Sequence, residues 1–70
     1  MKYYVIESRV EIDGAIYTTY GIGCKHAGSL LFEKKDLCID KERVEELVYL
    51  CNRFKLDPIH IDDVIADFLE

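Results

Sequence analysis

The sequence predicts an α+β domain of order β-β-β-α-α, a three-stranded antiparallel sheet covered on one face by a C-terminal helical hairpin. Three observations predict it. The first half is rich in Tyr, Val, Ile and Thr and is broken at Asp13-Gly14 and at His26-Ala27-Gly28-Ser29. The second half carries two apolar patterns at helical spacing, each led by an aspartate, Asp40 and Asp57. The single proline, Pro58, stands where the second of these patterns begins, and a first helical turn tolerates it.

Residues 2–11 and 15–24 read as two strands joined at Asp13-Gly14. A two-residue loop would pair Ile12 with Ala15 and Ile6 with Gly21, and each face would then mix apolar and polar residues. A three-residue loop, Ile12-Asp13-Gly14 with Gly14 left-handed, pairs Val10 with Ile16 instead. That register gathers Tyr4, Ile6, Val10, Ile16, Tyr20, Ile22 and Cys24 on one face and leaves Glu7, Arg9, Glu11 and Thr19 on the other. The bulged register is therefore the expected one.

Residues 30–38 read as a third strand, an edge strand guarded by Lys34 and Lys35, whose alternation slips near Lys35. Asp40 is the expected N-cap of a helix from Lys41 to about Arg53. Its stripe is Val44, Leu47, Val48, Cys51 and Phe54, widened by Leu50. In the last segment Ile61, Val64, Ile65, Phe68 and Leu69 form one stripe. Two starts fit it: Asp57 as cap with Pro58 in the first turn, or His60 as cap with Asp62 and Asp63 just inside.

At 70 residues, half of them hydrophobic, the chain is expected to be one domain, 1–70, with a small packed core. No run approaches the roughly 20 apolar residues of a membrane span, and no secretory leader is recognisable, so a cytoplasmic protein without membrane contact is expected. Cys24, Cys38 and Cys51 are odd in number and widely spaced, which suits reduced thiols in apolar segments better than a disulfide framework. The net charge of -5 lies entirely in Asp57, Asp62, Asp63, Asp67 and Glu70, because acids and bases balance over residues 1–55. A basic footprint for nucleic acid is missing, so no nucleic-acid partner is expected.

The segments Tyr20-Gly21-Ile22, Asp40-Lys41-Glu42-Arg43-Val44-Glu45-Glu46-Leu47 and Leu56-Asp57-Pro58-Ile59-His60, with the closing Asp63-Val64-Ile65-Ala66-Asp67-Phe68-Leu69, resemble a family of short bacterial proteins of uncharacterised function. The resemblance covers most of the chain and is most specific in the last motif, Leu-x-Pro-x-His followed by Asp-Val-Ile-x-Asp-Phe-Leu. It implies a bacterial cytoplasmic protein and carries no activity, cofactor or catalytic residue. Cys38-Ile39 departs from it, standing where small polar residues are usual.

Four constellations hold residue types that could carry chemistry or contacts. His60 near Asp57, Asp62 and Asp63 has the residue types of a base with orienting carboxylates, but capping or packing at a helix start explains it better, and a domain this thin is expected to leave little room for a pocket. No enzyme activity and no cofactor are expected. Cys24, His26, His60 and Asp63 could supply metal or ligand contacts, yet they lack the tight spacing of a zinc site, and Cys24 falls on the core face. The sheet face bearing Tyr3, Val5, Tyr17, Gly21 and Gly23 is a candidate interaction surface, with aromatic shielding of the glycines as the competing explanation. Asp62, Asp63 and Asp67 form the other candidate surface, with a solvated helix face as the simpler account. The leading functional expectation is a small non-enzymatic interaction or adaptor module acting on an unidentified protein partner or by self-association as a homodimer. A small ligand or metal binder using Cys24, His26 and His60 comes second, and an acidic mimic of nucleic acid third.

Overall fold

Asp13 and Gly14 close the first hairpin as a two-residue loop, both at positive φ (50° and 81°). That is the conformation whose twist matches two right-handed strands, and Asp-Gly is among the sequences that adopt it most readily. In the computed structural model, which describes residues 1–69, strand β1 (Lys2–Ile12) therefore pairs with β2 (Ala15–His26) so that Ile12 faces Ala15, Val10 faces Tyr17 and Ile6 faces Gly21. Ala27 and Gly28, again both at positive φ, turn the chain into β3 (Ser29–Cys38), which pairs with β2 to give the sheet order β1-β2-β3. Helix α1 (Lys41–Arg53) and helix α2 (Ile61–Leu69) follow, with a 3-10 turn at Pro58–His60 between them. The expected α+β order is the observed one.

The bulged register is not. Face purity would select that register only if a core covered the full length of the hairpin. The helices instead lie over one end of the sheet, where Tyr3, Ile22 and Cys24 are buried with Leu47, Cys51, Ile61 and Ile65. Polar and apolar residues can mix on the uncovered half at little cost, so face purity does not fix the register there and the turn does. The core face thus carries Tyr3, Val5, Tyr20, Ile22 and Cys24, while Tyr4, Ile6 and Val10 move to the other side.

The core is ordered in rows across the strands. Tyr3 faces Cys24, and Cys24 faces Phe32. The Tyr3 and Phe32 rings stand 6.0 Å apart at 59° on the helix side of the sheet. Val44, Leu47 and Cys51 bury the inner stripe of α1, as their spacing requires. Phe54, expected to complete that stripe, is 71% exposed, because α1 ends at Arg53 and the chain turns away through Lys55 at positive φ.

Caps fix the helix starts. The Asp40 carboxylate accepts from the backbone N–H of Glu42 (3.1 Å) and of Arg43 (3.4 Å), as expected of an N-cap. Asp57 caps the 3-10 turn through the N–H of Ile59 (3.1 Å), and α2 itself begins only at Ile61, which leaves Asp62 and Asp63 in its first turn. Both starts that the sequence allows are thus partly realised.

Cys24 and Cys51 are buried free thiols, and burial pushes both thiol pKa values up. Since the thiolate is the reactive form, a thiol-specific reagent at neutral pH is expected to label the native protein at the half-buried Cys38 alone and all three cysteines in denaturant. Rapid native labelling of Cys24 or Cys51, read by peptide mass spectrometry, would contradict this packing.

Candidate interaction surface

Of the sheet-face residues picked out from the sequence, three are inside the protein. Tyr3 is 1% exposed: its hydroxyl donates to the Leu56 carbonyl, and its ring belongs to the core. It faces Cys24 rather than Gly23, a consequence of the register. Gly23 is buried beneath the ring of its true neighbour Tyr4, and the Lys25 ammonium lies 5.4 Å from that ring's centroid. Aromatic shielding is thus what covers Gly23, with Tyr4 as the shield. Gly21 is buried by backbone. A Cβ there would run into the Lys34 carbonyl and lie 2.8 Å from the Lys35 Cα.

The reason is a bulge in β3. Tyr20 pairs with Cys38 and Ile22 with Lys34, so Lys35, Asp36 and Leu37 stand opposite Gly21 alone. Asp36 sits at φ 57° and accepts a hydrogen bond from the Thr19 hydroxyl, which pins the arch down over Gly21. The slip in alternation seen near Lys35 is this bulge. Val5 is half-buried and Tyr17 exposed, so of the five sheet residues only Tyr17 lies fully on the surface.

What remains uncovered is the distal hairpin. Pairing with β3 stops at Tyr20, so residues 8–19 form a two-stranded ribbon beyond the third strand. Ile12 (55% exposed), Ile16 (72%) and Tyr17 (48%) lie on it, with Val10 half-buried opposite Tyr17. Beside the ribbon runs the free edge of β1. Its phase is marked by Asn52 at the end of α1, whose side-chain oxygen accepts from the Tyr3 N–H (2.8 Å) and whose amide donates to the Tyr3 carbonyl (3.0 Å). Tyr3 therefore turns its backbone away from β2, and by alternation so do Val5, Glu7, Arg9 and Glu11. Sequence reasoning missed Asn52 and the edge; the signal present was the alternation Glu7-x-Arg9-x-Glu11.

The acidic face is less isolated than the chain order suggests. Asp62 pairs with Lys34 of β3 at 3.2 Å, an exposed contact of at most about 1 kcal/mol. Arg43 of α1 donates to the Phe68 carbonyl (2.9 Å) and stacks its guanidinium 4.7 Å from the Phe68 ring centroid, placing a cation at the negative end of α2. Asp67 lines a cleft of about 450 Å³ between the helices with Arg43, Glu46, Leu50 and Phe68, larger than the thin domain was expected to leave. Asp63 stays exposed.

The candidates for metal or acid–base chemistry are scattered. Cys24 lies in the core, His26 is exposed at the β2–β3 turn, His60 is exposed in the 3-10 turn, and Asp63 is on α2. Among the described residues no three His, Cys, Asp or Glu side chains converge as a metal site needs. The Asp57 carboxylate is engaged by the Ile59 N–H and that of Asp62 by Lys34. No helix of the described residues is long and apolar enough to cross a membrane.

Fold and surface together define a small α+β protein whose sheet has one helix-covered end and one bare end. The chain belongs to the Family of unknown function (DUF6514), whose family model matches residues 1–70. No curated protein and no solved structure shows significant similarity to it.

Proposed function

We propose that this protein is a small non-enzymatic interaction module of the bacterial cytoplasm that works by contact with another protein chain through its distal ribbon and the β1 edge. The observation that carries the reading is the ribbon of residues 8–19, which presents Val10, Ile12, Ile16 and Tyr17 with no third strand beside it. A two-stranded ribbon is marginal in water by itself, and adding a strand or a covering layer stabilises it. Exposed apolar residues grouped on such an element suit a partner surface.

Affinity capture from native cytoplasm tests this with the wild type and a Val10→Lys/Tyr17→Lys variant, which charges one ribbon face where the two residues pair. The wild type is expected to retain at least one protein chain saturably, a second copy of itself included. The variant, with an unchanged circular dichroism spectrum, is expected to lose at least about nine-tenths of that retention, a change of roughly 1.4 kcal/mol. A wild type that sediments as a strict monomer and retains nothing above control would remove the reading.

A further inference from the structure

We propose that the partner of the β1 edge is a second copy of this chain, paired antiparallel with β1 about a two-fold axis at Ser8, so that Glu7 of each copy faces Arg9 of the other. The proposal deepens the reading of the protein as a contact module and rests on it.

Three observations choose the occupant and the register. First, the edge is available. Val5, Glu7, Arg9 and Glu11 point their backbone groups away from β2, β1 contains no proline, and the first residue of the outward series, Tyr3, is already closed by Asn52. Second, Asn52 limits the register. Pairing that set Glu7 against Glu7 of the other copy would put its Glu11 against Tyr3, where Asn52 holds both backbone groups. Third, charge selects among the rest. With Ser8 on the axis, Glu7 meets Arg9 twice, by symmetry. A shift of two residues sets Arg9 against Arg9 and Glu7 against Glu11, and like charges directly opposite are destabilising.

The favoured register also satisfies the other face. Ile6 falls opposite Val10 at the closely spaced pairs, where side chains approach most nearly, and both residues are only half-buried in one copy. Val5 falls opposite Glu11, and the four outward pairs would form about eight backbone hydrogen bonds. The product is a six-stranded sheet with both helix layers on one face. Each ribbon tip then comes to lie beside the strand end that carries the other copy's Asn52. Among the described residues neither Glu7 nor Arg9 has an ion-pair partner within its own chain. The competing explanation, charges that keep an edge strand from pairing, predicts a monomer.

Sedimentation equilibrium of the full chain, with Glu7→Lys, Arg9→Glu and the double variant, reads the register. The wild type is expected to dimerise. Each single exchange should weaken association by about tenfold, since two symmetry-related pairs turn repulsive, and the double exchange should restore it. Under mild oxidation Ser8→Cys should form a disulfide-linked dimer through the new thiol, whereas Val10→Cys, which meets Ile6, should not. A wild type that stays monomeric while capturing a different protein overturns the self-pairing and leaves the contact reading standing. A monomer that captures nothing overturns both. A dimer indifferent to the charge exchanges and without the Ser8→Cys link overturns the register.

Discussion

Gly21→Ala is expected to unfold the protein or leave it without a paired third strand. The added methyl meets backbone, the Lys34 carbonyl and the Lys35 Cα, on the arch that β3 makes over β2. A side chain could rotate away; this arch cannot lift without giving up the Tyr20–Cys38 and Ile22–Lys34 pairings and the Thr19–Asp36 hydrogen bond. Overpacking costs about 1–3 kcal/mol and more where nothing can relax, and a core of this size supplies only about 3–5 kcal/mol net. Gly23→Ala provides the contrast. There the methyl meets the tip of the Tyr4 ring (2.5–2.8 Å), a side chain that can swing outward, so a loss of about 1 kcal/mol is expected. Urea denaturation followed by circular dichroism, with amide spectra of β3, separates the two. Equal stability of the two variants would refute the account of the bulge.

Tyr3→Ala is expected to be as damaging for a different reason. Tyr3 joins the layers: its ring packs in the core row with Phe32, its hydroxyl holds Leu56 after α1, and its backbone is clasped by Asn52. Removing a buried aromatic side chain costs about 3–5 kcal/mol, most or all of the stability available. Tyr3→Phe should keep the fold and lose about 1 kcal/mol, the Leu56 carbonyl being left without its donor. The phenol also gives a pH signature. Burial, reinforced by Cys24, Cys51 and Asp57, pushes its pKa up to about 12 from the ordinary 10.0. The folded state thus holds the proton more firmly than the unfolded one. The corresponding stabilisation is complete below pH 10 and is lost as pH rises through about 12. Denaturation midpoints measured across this range should fall in the wild type, and Tyr3→Phe should remove the part due to this phenol.

Local chemistry made most of the fold legible in the sequence. The caps at Asp40 and Asp57, the turns at Asp13-Gly14 and Ala27-Gly28, the inner stripe Val44, Leu47, Cys51 and the break near Lys35 all depend on neighbours in the chain. The register was not legible from the purity of whole faces, because only the end of the sheet under the helices is under that constraint. The same one-residue slip put Tyr3 in the core and gave the shielding of Gly23 to Tyr4. Asn52, Arg43 and Lys34 act on partners 49, 25 and 28 positions away in the chain, and spacing along a single element carries no trace of such contacts.

The alternating edge is the feature on which the proposed self-pairing turns, and residue-resolved amide exchange reads it directly. In dilute protein the amides of Tyr4, Ile6, Ser8 and Val10 should be protected by β2 and that of Tyr3 by Asn52, while Val5, Glu7, Arg9 and Glu11 exchange freely. On raising the protein concentration these four should slow together, as the edge of a second copy closes over them. If they exchange freely at every concentration and with every captured protein present, the edge has no partner and the account is wrong.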